Sequence, residues 1–388
     1  MGIASELDRL EALDDAAFRR EVRTWIEAHY PPTVPRFPTR RLFWHETRDW
    51  FAALSAKGWI APGWPREHGG MGLSGARQII MIEELERFGA ARSNDQGLVM
   101  LAPLLIEHGT PEQQARFLPR ILSGEDIWAQ CYSEPDAGSD LAALRLDATP
   151  DGDDFVLNGQ KTWITLGTDA NWAFVLARTA RTGRKQEGIS FLLVPLDSPG
   201  ITVRGIVNID MGAEFAEMFF DDVRVPKGNL VGEIDRGWTY AKALLGFERI
   251  AIGSPRLASG ALARLKQLAE RAGVADDPEF VTAYTRFRLD LADLKALYET
   301  VTAAVGRGEP LGADVTILKI VQTELSQRIT EAALDFGGAA AARLEPDPES
   351  GLHPAGQFLL ARAGTIFGGS SEILRNVLAR QVLGMPAA

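Results

Sequence analysis

The chain predicts an α+β fold in three consecutive blocks: helical over residues 1–125, β-rich over 126–235 and helical again over 236–388. Three observations predict it. Apolar residues recur at helix spacing in the first and last blocks. Short apolar runs of strand length, punctuated by Pro and Gly, fill the middle. No alternation of strand and helix, internal repeat or low-complexity tract breaks that order, so the middle block reads as antiparallel sheet.

In the first block Phe18, Val22, Trp25, Ile26 and His29 follow helix spacing, and Pro31-Pro32 ends that helix. Residues 59–75, WIAPGWPREHGGMGLSG, read as loop from their Gly and Pro content. Thr110-Pro111-Glu112-Gln113 predicts a helix start, with Thr as N-cap, Pro at the first helical position and Gln closing a capping box. In the middle block residues 154–157, then Asn158-Gly159, then 160–165 read as strand, tight turn, strand, because Asn-Gly is a strong hairpin signal. Residues 172–177 and 189–194 are further strands. In the last block 258–271, 280–305 and 313–336 are long helical segments.

Composition narrows the function classes. Hydrophobic content of 46% and charged content of 24% are ordinary for a globular chain. A net charge of −11 argues against a general nucleic-acid binder, although a local set of Arg and backbone N–H groups can still hold a small anion. No apolar run approaches the ~18 residues of a membrane span, and the acidic N-terminus does not read as a signal peptide. The single cysteine, Cys131, permits no intramolecular disulfide and fits a reducing cytoplasm. Five scattered histidines and one cysteine predict no metal site. Gly70, Gly72 and Gly75 satisfy a GxGxxG pattern, but loop residues precede it instead of a strand, so they read as loop glycines.

Four features carry chemistry. The run CYSEPDAGSD, residues 131–140, taken alone is a polar turn; Ser133 and Ser139 offer hydroxyls and Gly138 permits close approach of a ligand. Lys161-Thr162-Trp163-Ile164-Thr165 places an indole beside a hydroxyl, which suits a planar ring, though Trp163 alone reads as a core aromatic. Gly368-Gly369-Ser370-Ser371-Glu372 opens a terminal helix, either as an ordinary Ser N-cap or as a phosphate-binding helix start. Phe336-Gly337-Gly338 is a second Gly-rich break. On the helix expected over 237–252, Trp238, Ala241, Leu245, Glu248 and Ile252 share one face, so Glu248 interrupts an apolar stripe. A carboxylate there is either salt-bridged, with Arg249 or a more distant Arg, or raised in pKa as a base.

Together these motifs resemble, in order, those of the acyl-CoA dehydrogenase family. Residues 131–140 resemble its flavin loop, 161–165 its Trp-Ile-Thr segment, Trp64-Pro65 with Gly69-Gly70 its N-terminal loop and 369–375 its C-terminal loop. The resemblance covers nearly the whole chain. It implies a helical N-terminal domain, a middle β domain and a C-terminal four-helix bundle. It also implies FAD lying between the last two and reached by a neighbouring subunit. The activity implied is α,β-desaturation of an acyl-CoA, with electrons leaving to an electron-transfer flavoprotein. Tyr132, Ser133, Gly138, Ser139, Trp163, Ile164, Thr165, Phe336, Gly337, Gly338, Gly369, Ser370, Ser371 and Glu372 would hold the cofactor. Ser139, Arg249 and Gly368 would meet the substrate.

The departures carry information of their own. Many members place the catalytic Glu where this chain has Gly368; another branch places it on the helix of Phe247-Glu248-Arg249, which makes Glu248 the expected base. The segment that reaches a neighbour's flavin is missing, residues 269–278 standing in its place, and Leu334 occupies the position of a usual Gln. This resembles bacterial members that pair with a second, different chain, so the assembly is expected to be a homo- or hetero-oligomer, a dimer or a tetramer. Gly368 together with Asp276-Asp277-Pro278 favours a bulky or dicarboxylic acyl group, in fatty acid or steroid side-chain degradation. A non-catalytic partner subunit and an acyl-CoA oxidase-like flavoenzyme are the alternatives.

Overall fold

The computed structural model describes all residues except 1–2, Thr39, 93–95, Thr182, Gly308, 310–311 and 387–388. It leaves out the side chains of Ile3, Ala243, residues 245–251, Val305 and Gly306 within their helices. The chain forms two compact units, Met1–Leu245 and Gly246–Ala388.

The first unit begins with helices α1 (Ile3–Glu11), α2 (Asp15–His29), α3 (Trp44–Lys57) and α4 (Gly75–Phe88), followed by α5 (Ala102–His108) and α6 (Pro111–Ser123). Their apolar stripes make the core: Phe18, Val22 and Ile26 of α2 are buried with Trp50 and Leu54 of α3 and Ile80 and Met81 of α4. The start of α6 is the expected capping box, Thr110 Oγ1 accepting from Gln113 N and Gln113 Oε1 accepting from Thr110 N. The Gln113 amide then donates to Gly228 O and Leu230 O, and so ties α6 to a later segment.

Seven strands follow: β1 (Trp128–Cys131), β2 (Asp147–Asp151), β3 (Asp154–Thr165), β4 (Trp172–Arg178), β5 (Ile189–Pro195), β6 (Ile201–Ile206) and β7 (Phe215–Pro226). The order is β1-β4-β2-β3-β7-β6, with β5 also on β4. Most pairings are antiparallel, but β1 runs parallel to β4 over four positions and β2 touches β4 in parallel at one. β4 is buried along its whole length, so it reads as a continuous apolar run and not as an alternation.

One sequence expectation is overturned here. Asn158-Gly159 is not a hairpin turn: β3 runs straight through it and pairs with β7 from Asp154↔Pro226 to Thr165↔Phe215. The reversal lies one segment earlier, where Gly152-Asp153 joins β2 to β3 and Gly152 has φ 58°, as a glycine-first hairpin turn requires. Asn158 instead bonds across the sheet, its amide donating to Asp222 Oδ1 and its carbonyl accepting from Asp222 N, both at 2.9 Å. Gly159 sits at φ 141°, and a Cβ there would lie 3.0 Å from the Leu146 backbone. The glycine therefore serves a bulge and a close approach.

Helix α7 (Gly237–Ile252) leads out of the first unit. The second unit comprises α8 (Arg256–Ala272), α9 (Pro278–Gly306), α10 (Thr316–Ala341), α11 (Pro354–Gly364) and α12 (Ser371–Gln381). α10 is central, packing on α8, α9, α11 and α12. Leu262, Leu265 and Leu268 of α8 meet Leu318, Leu325 and Ile329 of α10 in the core. None of the described helices is long and apolar enough to cross a membrane.

Candidate active site

The run Tyr132–Asp140 leaves the end of β1 and forms a tight loop, Glu134 and Ala137 exchanging backbone hydrogen bonds of 3.1 and 3.0 Å across Pro135-Asp136. Its upper surface faces solvent: Gly138, Ser139 and Asp140 are exposed, Ser133 is half-buried, and a Cβ on Gly138 would meet nothing within 4 Å. Tyr132 points the other way, its ring edge-on to Phe174 and Phe191 in the core.

The loop is fastened from below by an ion pair. Lys161 of β3 is fully buried, and its Nζ donates to Glu134 Oε1 at 2.8 Å and to Tyr132 O at 2.9 Å. Glu134 also accepts from the Arg145 and Leu146 backbone N–H groups at 2.7 and 2.9 Å. Thr162 N adds a bond to Ser133 O at 2.9 Å. Burial pushes the Lys161 pKa below its ordinary value, with the Glu134 charge working against that shift. A buried pair with every carboxylate oxygen engaged holds a unique loop geometry; one partner alone is costly.

Next along β3, Trp163 stands at φ 60°, where the register against β7 shifts between Lys161 and Ile164. The extra residue turns the alternation over, so Ile164 enters the core at 1% exposure and Trp163 is left 60% exposed. A tryptophan rarely stands this far into solvent, and a non-glycine residue at positive φ is strained, so the bulge has turned the ring outward at an energetic cost. Phe215 supports it edge-on at 6.1 Å. The carbonyl of Thr165 accepts from Gln96 Nε2 at 3.2 Å, and Gln96 Oε1 accepts from Gln130 N at 2.5 Å, so one amide joins the ends of β1 and β3. Glu134 and Lys161 lie within the two motifs, but neither they nor Gln96 are singled out by the motif chemistry as the groups that fasten the loop. The signal for Lys161 was legible: it shares strand parity with Phe155 and Leu157, which puts it on the inner face.

In the second unit, Thr365–Ser370 links α11 to α12. Gly368 and Gly369 have φ 62° and 89°, and Ser370 caps α12 by accepting from Ile373 N. The fully buried Lys319 of α10 donates to Gly369 O at 2.8 Å. Ser371 Oγ is buried with no hydrogen-bond partner among the described residues, and Glu372 is exposed. The Glu372 carboxyl is held below its usual range by its own backbone N–H and by Ser370. Phe336 packs edge-on to Phe280, Gly337 lies against Leu268, and Gly338, at φ 56° and ψ −148°, kinks α10. Glu248 and Arg249 lie on α7, but their side chains are outside the described residues. Among the described residues no group of three or more His, Cys, Asp or Glu could hold a metal ion.

The site thus offers an outward indole, an open glycine and exposed hydroxyls on a rigidly fastened loop, which fits the face and edge of a planar cofactor. Comparison with known proteins agrees at the level of family. Family models for the acyl-CoA dehydrogenase N-terminal, middle and C-terminal domains match residues 13–125, 129–223 and 235–383. The chain belongs to the acyl-CoA dehydrogenase family. It is 42% identical to acyl-CoA dehydrogenase IpdE1 of Mycobacterium tuberculosis over 382 residues, covering 96% of this chain and 98% of that one. Among solved structures it resembles a chain of the "Tcur3481-Tcur3483 steroid ACAD" at TM-score 0.86 and 29% identity, covering 97% of this chain and 99% of that one. It also resembles a chain of the ChsE4-ChsE5 complex from Mycobacterium tuberculosis at TM-score 0.76 and 29% identity, covering 99% and 98%.

Proposed function

We propose that the chain is an FAD-dependent dehydrogenase that desaturates a bulky acyl-CoA between its α and β carbons. The observation that carries this reading is Trp163, a strained indole exposed to 60% beside the loop that Glu134 and Lys161 fasten. When bound, FAD supplies the acceptor for the β hydride. Tyr132, Ser133, Gly138, Ser139, Trp163, Ile164 and Thr165 are its proposed contacts in the first unit; Phe336, Gly337, Gly338, Gly369, Ser370, Ser371 and Glu372 of the second unit are proposed to contact flavin in this or a neighbouring subunit.

Glu248 is the proposed base for the α proton. It interrupts an apolar stripe of α7, and removal of such a proton asks for a carboxylate whose pKa is raised toward the working pH. A backbone N–H at Gly368 and the cation of Arg249 would stabilise negative charge growing on the thioester oxygen. The steroid named in one structural relative supports a large polycyclic acyl group. The paired chains of both structural relatives support a partner chain that completes the cofactor contacts replaced at residues 269–278 and Leu334. An electron-transfer flavoprotein is the proposed acceptor, and the cytoplasm the proposed compartment.

The test is Glu248→Gln in the assembled, FAD-loaded enzyme, assayed with a steroid side-chain acyl-CoA and an artificial acceptor. Loss of a positioned base lowers kcat by about 10²–10⁴-fold while the flavin spectrum and assembly mass stay unchanged. Unchanged turnover would sink the assignment and favour a second reading, a non-catalytic partner subunit, which the glycine at position 368 supports.

A further inference from the structure

Two lysines are fully buried among the described residues, Lys161 and Lys319. The first fastens the loop at residues 132–140. The second lies on α10, and its Nζ donates to Gly369 O at 2.8 Å. Gly369 belongs to the loop between α11 and α12, next to the Gly368 N–H that the proposed function uses. An apolar side chain of similar volume would fill this place without burying an ammonium, so packing alone does not call for a lysine.

α10 pins the loop at both ends. At its start Gln327 Nε2 donates to Ala361 O and Thr365 Oγ1 at 3.0 Å each and to Arg362 O at 3.3 Å. At its end Lys319 holds Gly369 O, with the ammonium 5.9 Å from the centre of the Phe367 ring. Ser371 N closes the loop onto Thr365 O at 2.9 Å, and Phe367 N donates to Ala363 O at 3.1 Å. The N–H of Gly368 has no backbone partner among the described residues. Gly368 and Gly369 both stand at positive φ, and two adjacent glycines make the least constrained backbone a chain can offer. An N–H on such a backbone keeps one direction only if the peptides around it are held. Here the peptide that carries the Gly368 N–H lies between one fixed through Phe367 N and one fixed by Lys319.

We infer that Lys319 and Gln327 are positioning residues for the reaction: by pinning Gly369 and Thr365 to α10 they aim the Gly368 N–H at the thioester oxygen. The inference rests on the proposed desaturation, with Gly368 as a donor to that oxygen. A donor aimed at a growing oxyanion is worth about 10²–10³ in rate, and misplacing a reacting group by about 1 Å costs on the order of 10²-fold. The loss falls on kcat more than on KM, because charge on the oxygen grows only toward the transition state.

The experiment uses the assembled, FAD-loaded enzyme and the 3-oxo analogue of the acyl-CoA as probe. The β carbon of this probe is a carbonyl with no hydride to give, so it binds without turnover. Its α proton is lost as the pH rises, and the enolate absorbance against pH reads how well the site stabilises charge on the thioester oxygen. Lys319→Met is expected to raise the apparent pKa of the bound probe by about 1–2 pH units and to lower kcat by about 10–100-fold. Flavin content and assembly mass should stay unchanged, with KM within about threefold. Lys319→Arg keeps a donor and should recover part of both losses. Gln327→Leu carries the test if the methionine variant does not assemble, and should shift both quantities the same way. An unchanged probe pKa in the variant that carries the test overturns the inference and leaves the desaturation reading standing. A fall in kcat matched by lost flavin, at unchanged probe pKa, means a merely structural lysine and overturns it as well. A probe that binds the unaltered enzyme but never ionises removes Gly368 as the oxygen donor, and overturns the inference together with the reading beneath it.

Discussion

Replacing Lys161 by methionine keeps most of the stem volume and removes one charge from a buried pair. Two hydrogen bonds go, to Glu134 Oε1 at 2.8 Å and to Tyr132 O at 2.9 Å. Breaking a buried ion pair from one side costs about 3–5 kcal/mol, because the other charge stays buried. Glu134 keeps the Arg145 and Leu146 N–H groups, so the lower end, about 3 kcal/mol, is expected. The double variant Lys161→Met with Glu134→Gln removes both charges and should cost less than the two single changes added, by about 1–3 kcal/mol.

The assay follows from where the fluorophores lie. All nine tryptophans fall within Met1–Leu245, so intrinsic fluorescence in a urea titration reports the first unit alone. FAD retention after gel filtration is the second readout. If the ion pair fixes the loop, Lys161→Met loses flavin at a urea concentration that leaves the core folded. A fluorescence midpoint and flavin content equal to those of the unaltered chain would refute the reasoning. Equal losses in single and double variants would refute the coupling.

Three further outcomes are expected. Glu84, 1% exposed, takes Arg19, Arg23 and Arg87 at 3.1, 2.9 and 2.7 Å; burial raises its pKa, but these bonds outweigh that and hold it at about 2. Against its ordinary 4.5, that contributes about 3 kcal/mol above pH 4.5, lost as the pH falls to 2, so Glu84→Gln should flatten the acid limb of a fluorescence-monitored stability curve. Gly159→Ala must place a Cβ 3.0 Å from the Leu146 backbone at φ 141° and should lower the urea-derived stability by about 1–3 kcal/mol. Trp163→Ala should cost under about 1 kcal/mol, since the ring is mostly exposed, yet weaken FAD binding in a fluorescence titration by at least tenfold.

The difference between Lys161 and Trp163 explains how much of this site could be read from the chain. Block order was legible because it rests on many residues: a stripe such as Phe18, Val22 and Ile26 survives local error, and so does a continuous apolar run such as β4. Lys161 was legible in principle, because strand parity with Phe155 and Leu157 fixes its face. Trp163 was not. Its parity is the same as that of Lys161, which would bury it, and only the bulge between Lys161 and Ile164 turns it outward. No residue type marks that bulge, whose positive φ falls on a tryptophan where a glycine would have given a signal. The misplaced hairpin has the same cause. Asn158-Gly159 and Gly152-Asp153 are both turn dipeptides, and the pairing of β3 with β7, some 60 residues away, decides between them. Local chemistry therefore named the candidates, and long-range register chose which faced the solvent. A site assembled from a fastened loop and an outward-turned ring depends on the second kind of information, so its weakest points under mutation are the contacts that set register: Gly159, Asn158 to Asp222, and Lys161 to Glu134.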